Sequence, residues 1–205
     1  MKATLLHDGT YASNCYLVTD DAETGAVLID PSVPPAVAER TAAPLPRIDA
    51  IMLTHGHFDH MLALDSWRQR TGAPVLISAE DAPALGNPVL SCYRSFLGEN
   101  ITHAPAERLL AAGDTVAVGK EVLTVIAVPG HTPGSLAFDS GELLFTGDTI
   151  FAGGGYGRFD LPGGNGDLLV LSIGDLLMLK GERRLLAGHG EEGLLSTEKK
   201  YYHFS

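Results

Sequence analysis

The stretch from Thr54 to His60 reads THGHFDH and places three histidines and one aspartate within six positions. It directly follows the run from Ile48 to Leu53, which is short, apolar and partly β-branched and therefore predicts a buried strand. Because side chains alternate along an extended chain, His55 and His57 can point the same way from the strand end. The aspartate and the third histidine lie beyond the turn and can reach a neighbouring position. Imidazole and carboxylate groups at this spacing are typical ligands of zinc, manganese or iron.

Three further candidates lie on turns later in the chain, each directly after a glycine and each following an apolar strand. They are His131 in VPGHTPGS, Asp148 in FTGDT and His189 in LAGHG. A glycine at that position permits unusual backbone dihedrals and a close approach of the backbone to an ion. A single such residue is more often structural than a ligand. Combined with the histidine-rich stretch, the three are the expected distant ligands.

Both halves of the chain contribute strands and then helices, which predicts packed sheets with helices outside. The predicted strands are Tyr16 to Val18, Ala26 to Ile29, Ile48 to Leu53, Pro74 to Ser78, Thr115 to Val118, Val122 to Val128, Ser135 to Phe138, Leu143 to Phe145 and Arg184 to Ala187. The predicted helices are Val33 to Ala42, His60 to Arg70, Asp167 to Leu179 and Ser196 to Tyr202. No segment reads as a linker, so a single domain over residues 1–205 is expected.

The composition limits the classes of partner. The 205 residues include 14 Lys+Arg and 25 Asp+Glu, a formal net charge of −11, which argues against nucleic acid and anionic membrane surfaces as partners. The sequence has no apolar run of about 18 residues and no apolar signal segment at its start, so neither a membrane span nor export is expected. Two cysteines are a poor disulfide framework, which favours a cytoplasmic location. A small molecule is the expected partner, and the oligomeric state stays open.

The motif His-x-His-x-Asp-His followed by a distant His, Asp and His resembles the metallo-β-lactamase-fold superfamily. The resemblance extends from Asn14 to His189. Within that superfamily the chain most resembles the small hydrolases similar to glyoxalase II, on the stretches GRFDLPGG at 157–164 and Asn87 to Glu99. The resemblance implies an α/β (α+β) fold, a four-layer αβ/βα sandwich whose metal site lies at one edge between the two sheets.

The resemblance also implies two divalent metal ions, with zinc expected first and iron or manganese as alternatives. The first ion would be held by His55, His57 and His131. The second would be held by Asp59, His60 and His189. Asp148 and a hydroxide would bridge both ions, and Asp59 and Asp148 are the expected catalytic carboxylates. Tyr156 and Arg158, in the loop after Asp148, are the candidate substrate contacts.

The chemistry of such a site favours a thioester. Two divalent ions lower the pKa of a bound water from about 15.7 towards about 7, which supplies a nucleophile without a side-chain base. A thiol leaving group with a pKa near 8.5 hardly needs protonation, unlike an amine. We therefore expect a metal-dependent thioester hydrolase that cleaves a small acyl-thioester, such as a glutathione-type thioester, through the bridging hydroxide.

Alternative functions remain within the superfamily. A persulfide dioxygenase would use one iron on His55, His131 and Asp148, and its Cys-Gly-Arg-Thr-Asp stretch is partly matched by YGRFD at 156–160. A lactonase or other ester hydrolase is a second alternative, although lactonases usually carry Tyr where this chain has Phe151. True β-lactamases use Cys or no ligand at the position of Asp148. Full-length glyoxalase II enzymes add a helical C-terminal domain, whereas this sequence ends 16 residues after His189.

Five residues are not assigned to the site. His7, His103 and His203 lack a neighbour at ligand spacing, so a solvated or hydrogen-bonded histidine is expected at each. Cys92 is expected to be a buried, inert thiol. Trp67 is expected in the core.

Overall fold

The computed structural model describes residues 1–6, 13–42 and 44–202, and its strands form two six-stranded sheets. His7 and His203 lie outside the described residues. The first sheet has the order β1-β2-β3-β4-β5-β6, with strands Lys2–Leu6, Cys15–Thr19, Ala26–Ile29, Ala50–Met52, Val75–Ser78 and Arg108–Leu110. The second has the order β12-β11-β10-β9-β8-β7, with β7 to β12 at Thr115–Val118, Glu121–Ala127, Leu136–Asp139, Leu143–Gly147, Arg184–Ala187 and Gly193–Leu194.

In the described part of the chain, six α-helices connect or flank these strands. They are Pro35–Thr41 (α1), Leu64–Thr71 (α2), Ala82–Leu85 (α3), Tyr93–Leu97 (α4), Gly166–Leu177 (α5) and Leu195–Glu198 (α6). Asn165 begins α5, because its side chain accepts a hydrogen bond from the backbone N–H of Leu168. Among the described residues, no helix is long and apolar enough to cross a membrane.

Alternate strand residues pack on opposite sides of the first sheet. Val27 and Ile29 belong to the core between the two sheets, whereas Leu28 faces the layer of α1 and α2. This alternation follows from the two-residue period of a strand. Trp67 of α2 is fully buried in that outer layer, as expected, and its indole N–H donates to the backbone oxygen of Val33 at 2.7 Å.

The second sheet is covered in the same way on its outer face. Leu169 and Ile173 of α5 pack against Leu144 and Leu185 of the sheet, while Phe138 and Phe145 fill the space between the sheets. The order of layers is therefore helix, sheet, sheet, helix. The predicted four-layer αβ/βα sandwich is confirmed.

Two predicted helices differ from the structure by more than two residues at one end. The prediction from His60 to Arg70 is divided, because Phe58–His60 forms one 3₁₀ turn and the α-helix begins only at Leu64. The last helix ends at Glu198 rather than at Tyr202. The 3₁₀ turn matters for the site, since it redirects the chain between the histidines.

Candidate metal centre

The candidate ligands lie where strands end at one edge of the sandwich. β3 and β4 run parallel, and so do β10 and β11. Parallel strands end at the same edge of a sheet. The histidine-rich stretch after β4 therefore lies at this edge of the first sheet, and Asp148 and His189, which follow β10 and β11, lie at the edge of the second. A backbone hydrogen bond from Leu136 to Thr54, 2.8 Å long, links the two sheets at this edge.

Three histidines from two different sheets form the first group. Nε2 of His131 lies 2.8 Å from Nδ1 of His57 and 3.1 Å from Nε2 of His55. All three rings are buried. The group thus brings three ring nitrogens to one point, at a spacing close to that of ligands on one tetrahedral ion, about 3.3 Å for bonds of about 2.05 Å.

The second group contains Asp59, His60 and His189. Oδ2 of Asp59 lies 3.2 Å from Nε2 of His189 and 3.9 Å from Nε2 of His60. His60 is fully buried, whereas the side chain of His189 is 37% exposed. This group therefore opens towards solvent on the side of His189.

Asp148 lies between the two groups. Its Oδ1 is 3.3 Å from Nε2 of His60, and its Oδ2 is 3.6 Å from Nε2 of His131 and 3.4 Å from Nε2 of His189. A carboxylate so placed can contact ions in both groups. All seven side chains predicted from the sequence as ligands are thus brought together, in three overlapping sets whose ligand atoms lie within 4.8 Å of one another.

Hydrogen bonds to the outer ring nitrogens fix how three of the imidazoles face the centre. Nδ1 of His60 donates to Asp30 at 2.8 Å, and Nδ1 of His131 donates to the backbone oxygen of Arg158 at 2.6 Å. The hydroxyl of Thr54 donates to Asp30, so it accepts from Nδ1 of His55 at 3.0 Å. With the proton on Nδ1, each ring presents an unprotonated Nε2 to the centre.

Asp30 was missed in the sequence. It is 2% exposed, and its carboxylate contacts His60 directly and His55 through Thr54, so it supports both groups. Its φ of +52° is rare for a residue other than glycine, and such strain is common at functional sites. One signal was available, since Asp30 directly follows an apolar strand as Asp148 does.

Asp81 was also missed, and it connects two ligand-bearing loops. Its carboxylate accepts hydrogen bonds from the backbone N–H of Gly56 at 2.9 Å, the hydroxyl of Thr132 at 2.7 Å and the N–H of Gly134 at 2.8 Å. Gly56 lies between two histidines of the first group, and Thr132 follows the third. Asp81 therefore fixes the spacing of these loops.

Two glycines are required by close packing. Gly147 has a φ of +49°, and a Cβ there would lie 2.7 Å from the Cβ of Thr54. A Cβ on Gly188 would lie 2.7 Å from Cε1 of His60 and closer still to Oδ1 of Asp148. Gly147 thus leaves room for Thr54, which supports His55, and Gly188 leaves room for the ligands themselves.

The electrostatics of the first group favour neutral imidazoles. Burial, with the positive charges of neighbouring histidines, holds the pKa of His55 well below its ordinary value and lowers the pKa of His57 to about 3. Burial also lowers the pKa of His131. Three neutral rings therefore offer lone pairs at pH 7.

In the second group the pKa values of the histidines are raised rather than lowered. Burial disfavours the charge of His60, but Asp148, Asp30 and Asp59 outweigh it and hold the pKa of His60 well above its ordinary value. The pKa of His189 rises to about 9, because hydrogen bonds to Asp148 and Asp59 outweigh burial. In turn, His60 and His189 overcome burial and hold the pKa of Asp148 well below its ordinary value. The carboxylates here attract positive charge.

The residues fit divalent ions. Nε2 of His60 and Oδ1 of Asp148 are buried without a hydrogen-bond partner among the described residues. Such atoms are rare in folded proteins because an unpaired buried polar atom is costly. The two atoms lie 3.3 Å apart, their residues belong to the same set of potential ligands, and imidazole with carboxylate is a donor set for zinc, iron or manganese.

A cleft of about 270 Å³ opens above this centre. Its lining comprises His57, Phe58, Asp59, Cys92, Phe96, His131, Asp148, Phe151, Gly157, Arg158, Leu161 and His189. Of the two predicted substrate contacts, Arg158 lines the cleft, whereas Tyr156 lines a separate groove with Phe159 and Tyr202. Cys92 is buried as expected, and burial together with the charge of Asp59 raises the pKa of its thiol.

The sequence profile of the Metallo-beta-lactamase superfamily matches residues 8–189, which include every candidate ligand. The chain belongs to the metallo-beta-lactamase superfamily. Two curated superfamily relatives match along nearly their whole length. The chain is 32% identical to a probable metallo-hydrolase, YqgX, of Bacillus subtilis, covering 97% of this chain and 95% of the relative. It is also 32% identical to the hydroxyacylglutathione hydrolase GloC of Haemophilus influenzae, covering 98% and 96% respectively.

Solved structures of the superfamily agree with the fold. The structure of BLEG-1 B3 metallo-beta-lactamase aligns with a TM-score of 0.89, 31% identity and 97% of each chain. A di-iron-bound form of TTHA1623 aligns with a TM-score of 0.80, 32% identity, 97% of this chain and 98% of that one. ETHE1 from Myxococcus xanthus gives a TM-score of 0.70 at 28% identity, covering 98% and 83%. The expected resemblance to glyoxalase II-like members of the superfamily is confirmed.

Proposed function

We propose that this protein is a metal-dependent hydrolase of small acyl-thioesters. The observation that carries the proposal is the convergence of seven potential ligands, two of them carboxylates, at the base of a cleft. A relative of similar length is a hydroxyacylglutathione hydrolase, which supports a thioester as the substrate class.

His55, His57 and His131 would hold one divalent ion, and Asp59, His60 and His189 a second, with Asp148 in contact with both. We propose zinc, with iron or manganese as the alternatives. When bound, such ions lower the pKa of a water towards about 7 and polarise the acyl carbonyl.

The side chains around the ligands perform three tasks. Asp30 and Thr54 hold the Nδ1 protons of His60 and His55, which keeps Nε2 of each ring unprotonated. Asp81 holds the two loops at a fixed distance. Arg158 lies at the cleft and is the proposed contact with the substrate.

The lining also suits a thiolate leaving group. Outside the candidate ligands, the described residues of the lining include no imidazole and no carboxyl group that could donate a proton. An amine leaving group would need such an acid, but a thiolate of pKa about 8.5 leaves without one.

A persulfide dioxygenase is the second candidate. It would use one iron on His55, His131 and Asp148, and the alignment with ETHE1 supports it. The group of Asp59, His60 and His189 offers ligands for a second ion, which supports the two-ion hydrolase.

The test combines metal analysis with turnover. The purified chain is assayed for zinc, iron and manganese per chain, and then for hydrolysis of S-lactoylglutathione, other acyl-thioesters, acyl-homoserine lactones and the β-lactam nitrocefin. Oxygen uptake with glutathione persulfide is measured in parallel. We expect two metal ions per chain and the highest kcat/KM on thioesters. One iron per chain with oxygen uptake on persulfide would overturn the proposal in favour of the dioxygenase.

A further inference from the structure

The cleft wall above the candidate ligands is mainly aromatic. Phe58, Phe96, Phe151 and Leu161 line it together with the buried thiol of Cys92. Outside the candidate ligands, Arg158 is the one charged side chain among the described residues of this lining. A substrate group between the ligands and solvent therefore meets hydrocarbon on most sides.

Two of these rings form a stacked pair, called the platform below. The rings of Phe58 and Phe96 stack with centroids 5.4 Å apart and an angle of 26° between planes. Phe58 lies between His57 and Asp59 in sequence, so the platform begins beside the ligands. Phe96 is 49% exposed, and single exposed apolar residues are ordinary, but here the exposed ring faces the cleft.

The platform is supported from behind. Tyr93 begins α4, the helix that carries Phe96, and its hydroxyl lies 3.0 Å from Nε2 of His103. Nδ1 of His103 in turn lies 2.9 Å from Asp65 of α2, so this histidine is hydrogen-bonded as the sequence suggested. The backbone N–H of Phe58 donates to Ser91 at 2.8 Å. The wall is thus preorganised, which reduces the entropy lost on binding.

The charge of Arg158 is already balanced. Its Nε and Nη2 each lie 2.7 Å from an oxygen of Asp160, and its Cζ lies 5.9 Å from the centre of the Phe96 ring. A carboxylate on the acyl group would meet a guanidinium whose charge Asp160 already balances, whereas a neutral group can lie against the exposed part of the Phe96 ring without disturbing the pair.

From this geometry we infer that the preferred acyl group is neutral and apolar, an aromatic ring or a medium-length hydrocarbon chain, lying against Phe58 and Phe96. The inference rests on the thioester hydrolase function proposed above and names the substrate class within it. Phe96 is the specificity-determining residue.

The experiment varies the acyl group on one thiol. Glutathione thioesters of hexanoate, benzoate, acetate, lactate and succinate are compared by kcat/KM. We expect hexanoyl and benzoyl thioesters to exceed lactoyl and succinyl thioesters by about tenfold or more, since hydrocarbon contacts in a pocket discriminate on this scale. Phe96→Ala removes this preference, and Phe96→Tyr retains it. Val122→Ala, on an exposed valine of β8 outside the cleft, is the matched control.

Binding gives a second readout that is independent of turnover. Thioether analogues, in which a methylene replaces the acyl carbonyl, are titrated into the protein by calorimetry, and the same loss of preference in Phe96→Ala is expected. Thioester hydrolysis without a preference for apolar acyl groups, or with a preference that Phe96→Ala leaves unchanged, overturns the inference but not the proposed function. A preference that is set by the thiol part of the thioester, rather than by its acyl group, also overturns the inference. Apolar analogues that bind through Phe96 while no thioester is hydrolysed would instead contradict the proposed function.

Discussion

Asp30 accepts a hydrogen bond of 2.8 Å from Nδ1 of His60, and both side chains are almost completely buried. The same carboxylate accepts from the backbone N–H and the hydroxyl of Thr54. The carboxylate therefore accepts the Nδ1 proton of His60 together with two hydrogen bonds from Thr54, which leaves Nε2 as the unprotonated nitrogen of the His60 ring. A residue that touches no ion in this arrangement still decides whether His60 can be a ligand.

The first prediction is that Asp30→Asn reduces the affinity for the second metal ion by about 10- to 100-fold, the usual loss on removing such a support. Asparagine tolerates the positive φ, so the backbone is preserved. Its amide N–H₂ opposes the N–H of His60, and the ring then protonates on Nε2 instead. The measurement is metal content after dialysis against graded chelator.

Asp20→Asn is the matched control for this change. Asp20 is 1% exposed and accepts hydrogen bonds from Thr24 and Gly25 in a turn that does not belong to the site. The control is expected to lose stability but to keep two ions per chain. An Asp30→Asn protein that keeps both ions at wild-type affinity would show that the tautomer argument is wrong.

The second prediction concerns the carboxylate between the two groups. Asp148→Asn removes a negative charge that both groups face, so we expect fewer than two ions per chain and at least a hundredfold lower kcat. Metal analysis and turnover of the same preparation check both numbers. Wild-type metal content together with a wild-type rate would contradict the bridging role.

The third prediction concerns Gly188, whose lack of a side chain leaves space for His60 and Asp148. Gly188→Ala places a methyl group against His60 and Asp148, and we expect the metal affinity to fall at least tenfold. Gly174→Ala, inside α5 with no atom within 4 Å of an added Cβ, is expected to raise stability by about 0.5–1 kcal/mol and to leave metal binding unchanged. Equal metal affinity in the two variants would refute the packing argument.

Much of the fold follows from local pattern, but the edges of the sheets do not. The predicted strands Ala26–Ile29, Thr115–Val118 and Arg184–Ala187 match the structure residue for residue. β1, β6 and β12 were not predicted. Each has exposed positions and two of them have only two or three residues, so their strand conformation depends on a neighbour rather than on their own hydrophobic pattern.

In the site, too, local sequence pattern identifies some residues, whereas contacts between distant parts of the chain determine others. The candidate ligands could be identified because each follows an apolar strand or lies in a dense motif. Asp81 could not, since its partners Gly56 and Gly134 are 25 and 53 residues away in the chain. Tyr156 was grouped with Arg158 by proximity in sequence, but the loop turns the two side chains to different cavities.

The fourth prediction concerns a contact from the end of the described chain to the cleft loop. Glu198 is 2% exposed, and its carboxylate accepts from the N–H of Gly154 at 2.9 Å. The hydroxyl of Tyr202 donates to Gly155 at 2.6 Å. The loop that they hold carries Phe151 and Arg158 to the cleft.

Glu198→Ala leaves that N–H without its acceptor, which costs about 1–3 kcal/mol of stability. We expect a KM several-fold higher with unchanged metal content, because the loop loses its position while the ligands keep theirs. Glu198→Gln retains an acceptor oxygen and should restore most of the KM. An effect on kcat alone, or no rescue by glutamine, would argue against a positioning role.

The fifth prediction is that metal removal lowers thermal stability. Each ion that binds only the folded state at 100 times its Kd contributes about 2.7 kcal/mol, or roughly 5–10 °C in Tm for a chain of this size. Differential scanning calorimetry with and without chelator checks the shift, and added zinc should reverse it. A Tm that is insensitive to chelator while metal is lost would contradict the arrangement.

The division of the ligands between the two sheets has a practical consequence. Four candidate ligands precede residues 111–114, the short connection between β6 and β7, and three follow it. Neither half can assemble the centre alone. If the two halves were expressed as separate chains cut at that connection, recovery of metal binding would directly report their reassociation, and the chain would serve as a two-part sensor.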